Sequence, residues 1–171
     1  IGDVATLSFF ANKIITTGEG GAVVTNSKKI AERTYMLRDH GMSKVKRYLH
    51  LDLGYNYRMT ELQAALGVSQ MQRLDEFIAK RHTLQERYDS LLSGLPIIGP
   101  YQSNDSYSAL HLYPIQIDLE KIDKNRKQIF DELRQNGIGV NVHYIPIHTQ
   151  PYYSQLGFRV GDFPNSESYY N

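Results

Sequence analysis

Apolar positions change period along this chain, and each change predicts an element. Val4, Ala5, Thr6, Leu7, Ser8, Phe9 and Phe10 form a short run rich in β-branched and aromatic residues, and a second run covers 22–25. With small and polar residues between them, the two runs predict a hairpin. Asn26 or Ser27 can then cap a helix whose inner face is Ile30, Ala31, Tyr35, Met36 and Leu37, with Gly41 as its stop. His40, beside that end, fits a partner for the helix dipole. Periodicity dissolves over 42–57. Helical spacing returns with Leu62, Leu66, Met71, Leu74, Phe77, Ile78, Leu84, Tyr88, Leu91 and Leu92. Thr60 and Gln63 open this stretch at capping-box spacing. It reads as one long helix, or as two joined end to end with a break near 72–75.

The second half alternates more quickly. Residues 95–108 are rich in Pro, Gly, Asn, Asp and Ser and read as a loop. Residues 111–118 (HLYPIQID) and 140–144 read as strands, with Pro114 marking an edge or a bulge in the first. Between them 124–136 reads as an amphipathic helix with Ile129, Phe130 and Leu133 inward. A short helix or turn after His148 and a helix start at Pro164 complete the pattern. Strand–helix–strand order in this half predicts a compact α+β or α/β unit.

Composition narrows the function classes. The 19 basic and 18 acidic residues nearly cancel, and no block of like charge stands out. Electrostatic capture of nucleic acid or of an anionic membrane is therefore not expected, although basic and aromatic residues interleave over 42–58. There is no cysteine, which removes disulfides and thiolate chemistry. No apolar run reaches the roughly 18 residues of a membrane span, and cytoplasm is the default compartment. His143 and His148 lie five apart, but no carboxylate stands at ligand spacing, and no metal site is expected.

The candidate chemistry concentrates at Lys13. The first strand delivers it into a turn, and Thr16-Thr17-Gly18-Glu19-Gly20-Gly21 follows at once. On spacing alone it can be a solvated lysine at a hairpin tip. The sharper reading makes it a nucleophilic amine that forms a Schiff base with a carbonyl or with pyridoxal phosphate (PLP), since glycines let backbone approach a bulky cofactor.

Three separated motifs now stand in order: SFFANKIITTGEGGAVVTN, GYNYRMTELQAALG and GIGVNVHYIPIHTQPYY. Together they resemble the PLP-dependent sugar-nucleotide aminotransferases of the DegT/StrS type, within the fold-type I superfamily. The third motif and HLYP are similar to the C4 transaminases of pseudaminic-acid synthesis. ITTGEGG and GYNYRMT are similar also to perosamine synthases. The resemblance implies that residues 1–72 are the end of a PLP-binding large domain, a mixed sheet flanked by helices, and 73–171 a small α+β domain. It implies that Lys13 bonds the cofactor aldehyde and moves a proton, that Ser8 binds the cofactor phosphate, and that Asn56 reaches the phosphate across a homodimer interface. Arg58, Tyr144 and His148 would line the sugar-nucleotide site.

The implied reaction is amino transfer from glutamate to the C4 ketone of a nucleotide-linked 4-keto-6-deoxysugar, with UDP-4-keto-6-deoxy-N-acetyl-altrosamine favoured over a GDP-sugar. A non-catalytic PLP- or sugar-nucleotide-binding module is the rival reading. Where many relatives have histidine shortly before the lysine, this chain has Phe10 and Ala11, which leaves the nucleotide open. Relatives also carry a large N-terminal section that supplies the pyridine-nitrogen partner and the ring-stacking aromatic. The chain is therefore expected to be a piece of a longer protein and inactive alone.

Overall fold

In the computed structural model, which describes residues 2–170, the first two apolar runs pair as expected. β1 (Val4–Ser8) and β2 (Gly21–Thr25) are antiparallel, with Val4 opposite Thr25 and Ser8 opposite Gly21. α1 (Lys28–Arg38) starts at Ser27, whose Oγ accepts the Ile30 N–H. It ends through left-handed His40 and Gly41, and the Gly41 N–H returns to the Met36 carbonyl. The long apolar stripe is two helices, α2 (Glu61–Met71) and α3 (Leu74–Leu91), parted at Gln72 and Arg73. Thr60 and Gln63 form the full reciprocal capping box at the start of α2.

The chain divides into two compact units. The first is Ile1–Thr83 with Ala109–His111; the second is Leu84–Ser108 with Leu112–Asn171. The division falls within α3, whose first ten residues belong to one unit and last eight to the other.

Within the first unit the hairpin leads into α1, and the non-periodic stretch that follows folds back on the end of α1. Tyr55 N–H donates to the Leu37 carbonyl, His40 N–H to Tyr55, and Tyr57 N–H to Arg38. Gly41 and Gly54 make this closure possible. Their backbones approach so closely that a Cβ on Gly54 would collide with the Gly41 nitrogen. Arg33 and Asp52 tie the loop to α1 from outside.

In the second unit β3 (Ile97–Ile98) pairs antiparallel with β4 (Gln116–Ile117). α4 (Arg126–Gln135) follows, capped by an Asn125–Gln128 box, and then α5 (Pro151–Gln155) and α6 (Pro164–Tyr170). Two expected strands are corrected here. The 111–118 run contributes only Gln116 and Ile117 to a ladder, and 140–144 forms no strand. Side chains take carbonyls that a ladder would have used. The Arg134 guanidinium donates to the Val140 carbonyl at 2.7 and 3.1 Å, and Arg81 Nη1 donates to the carbonyls of Leu110 and His111 at 2.9 and 3.3 Å.

Among the described residues Leu110 is the one large apolar side chain that is buried, at 8 % exposure. Val24, Leu66 and Met71 remain 54, 42 and 54 % exposed. No helix among the described residues is long and apolar enough to cross a membrane.

Candidate functional site

Beyond Ser8 the hairpin does not close in a tight turn; it opens into a loop stitched to itself. Phe9 N–H donates to the Gly20 carbonyl at 2.9 Å, and the Phe9 carbonyl accepts both the Thr17 N–H at 2.9 Å and the Thr16 hydroxyl at 3.1 Å. Lys13 N–H donates to the Phe10 carbonyl at 3.0 Å, so the lysine backbone is fixed inside this loop. Thr17 is 5 % exposed and its hydroxyl donates to the Glu19 carbonyl at 2.7 Å. Gly20 has to be glycine for this geometry, because a Cβ there would strike the Thr17 hydroxyl. From α2, Gln63 Nε2 also donates to the Glu19 carbonyl, at 3.0 Å, so the capping residue of the helix doubles as a prop for the loop.

The loop presents Ser8 and Lys13 differently. The Ser8 hydroxyl is exposed and accepts the Phe10 N–H at 3.4 Å, which leaves its own O–H to donate elsewhere. The Lys13 side chain is half-buried, and its Nζ lies 3.5 Å from His111 Nε2. His111 is a residue that sequence spacing did not single out. A separation of 98 positions hides it; the one local signal is a histidine opening an apolar segment.

Asn56 and Arg58 stand together on the segment that folds against α1. Asn56 is bridged backbone-to-backbone with Asp39, between Tyr55 and Tyr57, whose rings stack at 4.9 Å and 14°. Alternation along extended backbone puts both tyrosines on one face and Asn56 on the other. Arg58 Nε lies 3.3 Å from Asp39 Oδ1, out of line for a hydrogen bond but close enough for charge attraction. Its side chain remains 61 % exposed. Asp39 thus sits beneath both candidate residues.

The remaining two candidates belong to the second unit. Tyr144 is exposed, its ring edge-on to His143 at 5.9 Å. His148 is buried instead. Its Nε2 donates to Glu167 Oε1 at 2.8 Å and its ring packs on Phe163 at 4.8 Å. The Gly161 N–H donates to the same Glu167 oxygen at 2.7 Å. That backbone donor first, and His148 second, hold the Glu167 carboxyl below its ordinary pKa against the opposing effect of burial. Ile147, His148, Tyr153, Phe158, Phe163 and Ser166 line a cavity of about 370 Å³ beside this pair.

A half-buried primary amine, an exposed hydroxyl five residues before it and a glycine-opened loop are a donor set that fits part of a phosphorylated aldehyde such as PLP: the amine for the aldehyde, the hydroxyl for the phosphate. Among the described residues no three metal-ligating side chains converge.

Comparison with known proteins agrees in kind. Residues 1–171 match the DegT/DnrJ/EryC1/StrS aminotransferase family. The GDP-perosamine synthase of Vibrio cholerae is 41 % identical over 168 residues, 98 % of this chain and 45 % of that protein. The UDP-4-amino-4,6-dideoxy-N-acetyl-beta-L-altrosamine transaminase of Helicobacter pylori is 36 % identical over 98 % of this chain and 45 % of its own length. The structure of Helicobacter pylori PseC, an aminotransferase involved in the biosynthesis of pseudoaminic acid, superposes with a TM-score of 0.89 at 34 % identity, over 99 % of this chain and 46 % of that one. The chain thus spans a little under half the length of the relatives it matches.

Proposed function

Because this α/β chain belongs to the DegT/DnrJ/EryC1/StrS aminotransferase family, we propose that the whole protein transfers an amino group from glutamate to the C4 ketone of a nucleotide-linked 4-keto-6-deoxysugar. The favoured substrate is UDP-4-keto-6-deoxy-N-acetyl-altrosamine. A GDP-linked 4-ketosugar is the second reading, favoured by the 41 % identity to a GDP-perosamine synthase. The protein would act as a cytoplasmic homodimer with sites shared between subunits.

One observation carries the reading. A single lysine, Lys13, is held half-buried at the end of the strand that also carries Ser8, in a loop whose backbone is fixed on both sides. PLP, when bound, supplies the electron sink that lets a carbon–hydrogen bond next to nitrogen give up its proton. The residues of the chain do the rest. Lys13 Nζ is the nucleophile toward a carbonyl carbon and afterwards the base that holds and returns a proton. The Ser8 hydroxyl and the Asn56 amide donate hydrogen bonds to phosphate. Arg58 offers a planar fork suited to a diphosphate, which a lysine in its place would not match. Tyr144 offers an exposed hydroxyl to the sugar, whereas His148, with its Nε2 held by Glu167, has only Nδ1 to offer.

The test is an assay of the whole protein with glutamate against UDP-, GDP- and dTDP-linked 4-ketosugars. Aminosugar from the UDP compound at the highest kcat/KM supports the favoured reading. Preference for the GDP compound replaces it with the second, and no aminosugar from any of them contradicts both. Lys13→Ala is expected to lower kcat at least about a hundredfold, the scale of a lost acid–base group.

A further inference from the structure

Resting on the reading of Lys13 as the cofactor lysine, we propose that His111 is the positioning residue that holds the Lys13 amine in place. Nζ and Nε2 are 3.5 Å apart in a half-buried setting. The partners are 98 residues apart, so the contact is a product of the fold and not of local sequence.

Each side of the contact is fixed independently. Lys13 sits in the loop tied by Phe9, Phe10, Thr16 and Thr17. On the other side, Arg81 Nη1 grips the carbonyls of Leu110 and His111. Leu110 has φ of 50°, a left-handed conformation that leucine rarely adopts, and its side chain is the buried one. Backbone of this kind persists only where the surroundings over-determine it, and such outliers concentrate at functional positions. Here the strained leucine turns the chain immediately before His111. The three residues Ala109–His111 group with the unit that holds Lys13, while their neighbours on both sides group with the other. A segment that only connected two elements would need neither the strain nor the arginine grip.

The chemistry suits positioning. A protonated Lys13 Nζ donates and His111 Nε2 accepts; with a neutral amine the direction follows the His111 tautomer, and the contact holds the amine either way. A lysine side chain has four torsions, and a contact at its tip removes most of that freedom. The amine is thereby kept at the loop, aimed where a carbonyl carbon would arrive, instead of swinging into solvent. No bond is made or broken by His111 in this role.

Trace acetylation of the whole protein freed of cofactor, with peptide mapping, reads the contact directly. Lys28, 89 % exposed, serves as the internal reference. In His111→Phe, Lys13 should be acetylated about two- to tenfold faster relative to Lys28, the equivalent of one ordinary hydrogen bond. His111→Gln, which keeps an acceptor at similar reach, should restore most of the protection. No change in His111→Phe, or an equal change in both variants, overturns the proposal.

A second measurement leaves His111 in place. In the ¹⁵N spectrum the His111 Nε2 resonance should move in Lys13→Met while that of His50 stays. An unmoved His111 resonance overturns the proposal even if His111→Phe fails to fold. The cofactor reading fails separately: a pyridoxyl group reduced onto another lysine of the whole protein would contradict it and leave the acetylation ratio standing.

Discussion

Glu167 Oε1 receives two donors at once, Gly161 N–H and His148 Nε2, and this makes it a measurable residue. Its folded-state pKa lies below the ordinary carboxylate value. A depressed pKa means that the stabilisation is complete above the unfolded value of about 4.3 and is lost as pH falls through the lower folded value. Amide protection in α6, taken relative to the intrinsic exchange rate at each pH, should therefore fall on acidification below about pH 4.3, and Glu167→Gln should remove that acid-dependent step. Unchanged acid sensitivity in the variant would show that the pair does not anchor the helix. Tyr113 gives the opposite sign. Its hydroxyl donates to Asp89 Oδ1 at 2.5 Å, and that bond first, then burial and the Asp89 charge, push its pKa up to about 12. Asp89→Ala should bring the phenol back toward its usual value of about 10 in an NMR titration of the ring.

Among elements, the ones written into local spacing were legible. Ser27 as a cap, the Thr60–Gln63 box and the break between α2 and α3 follow from residues within a few positions of one another, and the hairpin from two apolar runs that follow one another along the chain. The 140–144 and 111–118 segments misled because β-branched and aromatic residues describe a half-buried surface rather than a partner. Whether a strand forms depends on who takes its carbonyls, and here Arg134, six residues away, and Arg81, 29 and 30 residues away, take them. The Lys13 loop was legible as a candidate for the same reason the caps were. His111 and the Thr17–Glu19–Gln63 prop were not, since they join residues that only folding brings together. The capping box yields a direct check. Thr60→Ala should cost about 1 kcal/mol in α2 stability, seen as faster exchange of the Gln63 and Ala64 amides. Gln63→Ala should in addition loosen the Glu19 carbonyl. Equal exchange in wild type and Thr60→Ala would mean that tertiary contacts alone hold the helix.

Across the whole molecule, apolar burial is the feature that separates pattern from outcome. The apolar residues of α2 and α3 follow helical spacing, yet Leu62, Leu66, Met71 and Leu84 are 84, 42, 54 and 53 % exposed. Periodicity in a sequence says which face is apolar; it does not say what covers that face. An exposed apolar surface of this kind marks an interaction surface, so the 171-residue chain should bind an apolar dye and self-associate at high concentration. A monomer that stays dye-negative would contradict the exposure. In the whole protein the shared-site reading makes a separate demand. Mixing Lys13→Ala with Asn56→Ala subunits, once exchange is proven, should regain up to about one working site per mixed dimer. No recovery would count against Asn56 serving a neighbouring subunit.

The functional reading rests on Lys13 as the residue that takes the cofactor. Borohydride reduction of the whole protein in the presence of PLP, followed by peptide mapping, tests it most directly. The account predicts the pyridoxyl group on Lys13. Finding it on Lys28 or Lys29 instead, with Lys13 unmodified, would contradict the account at its centre.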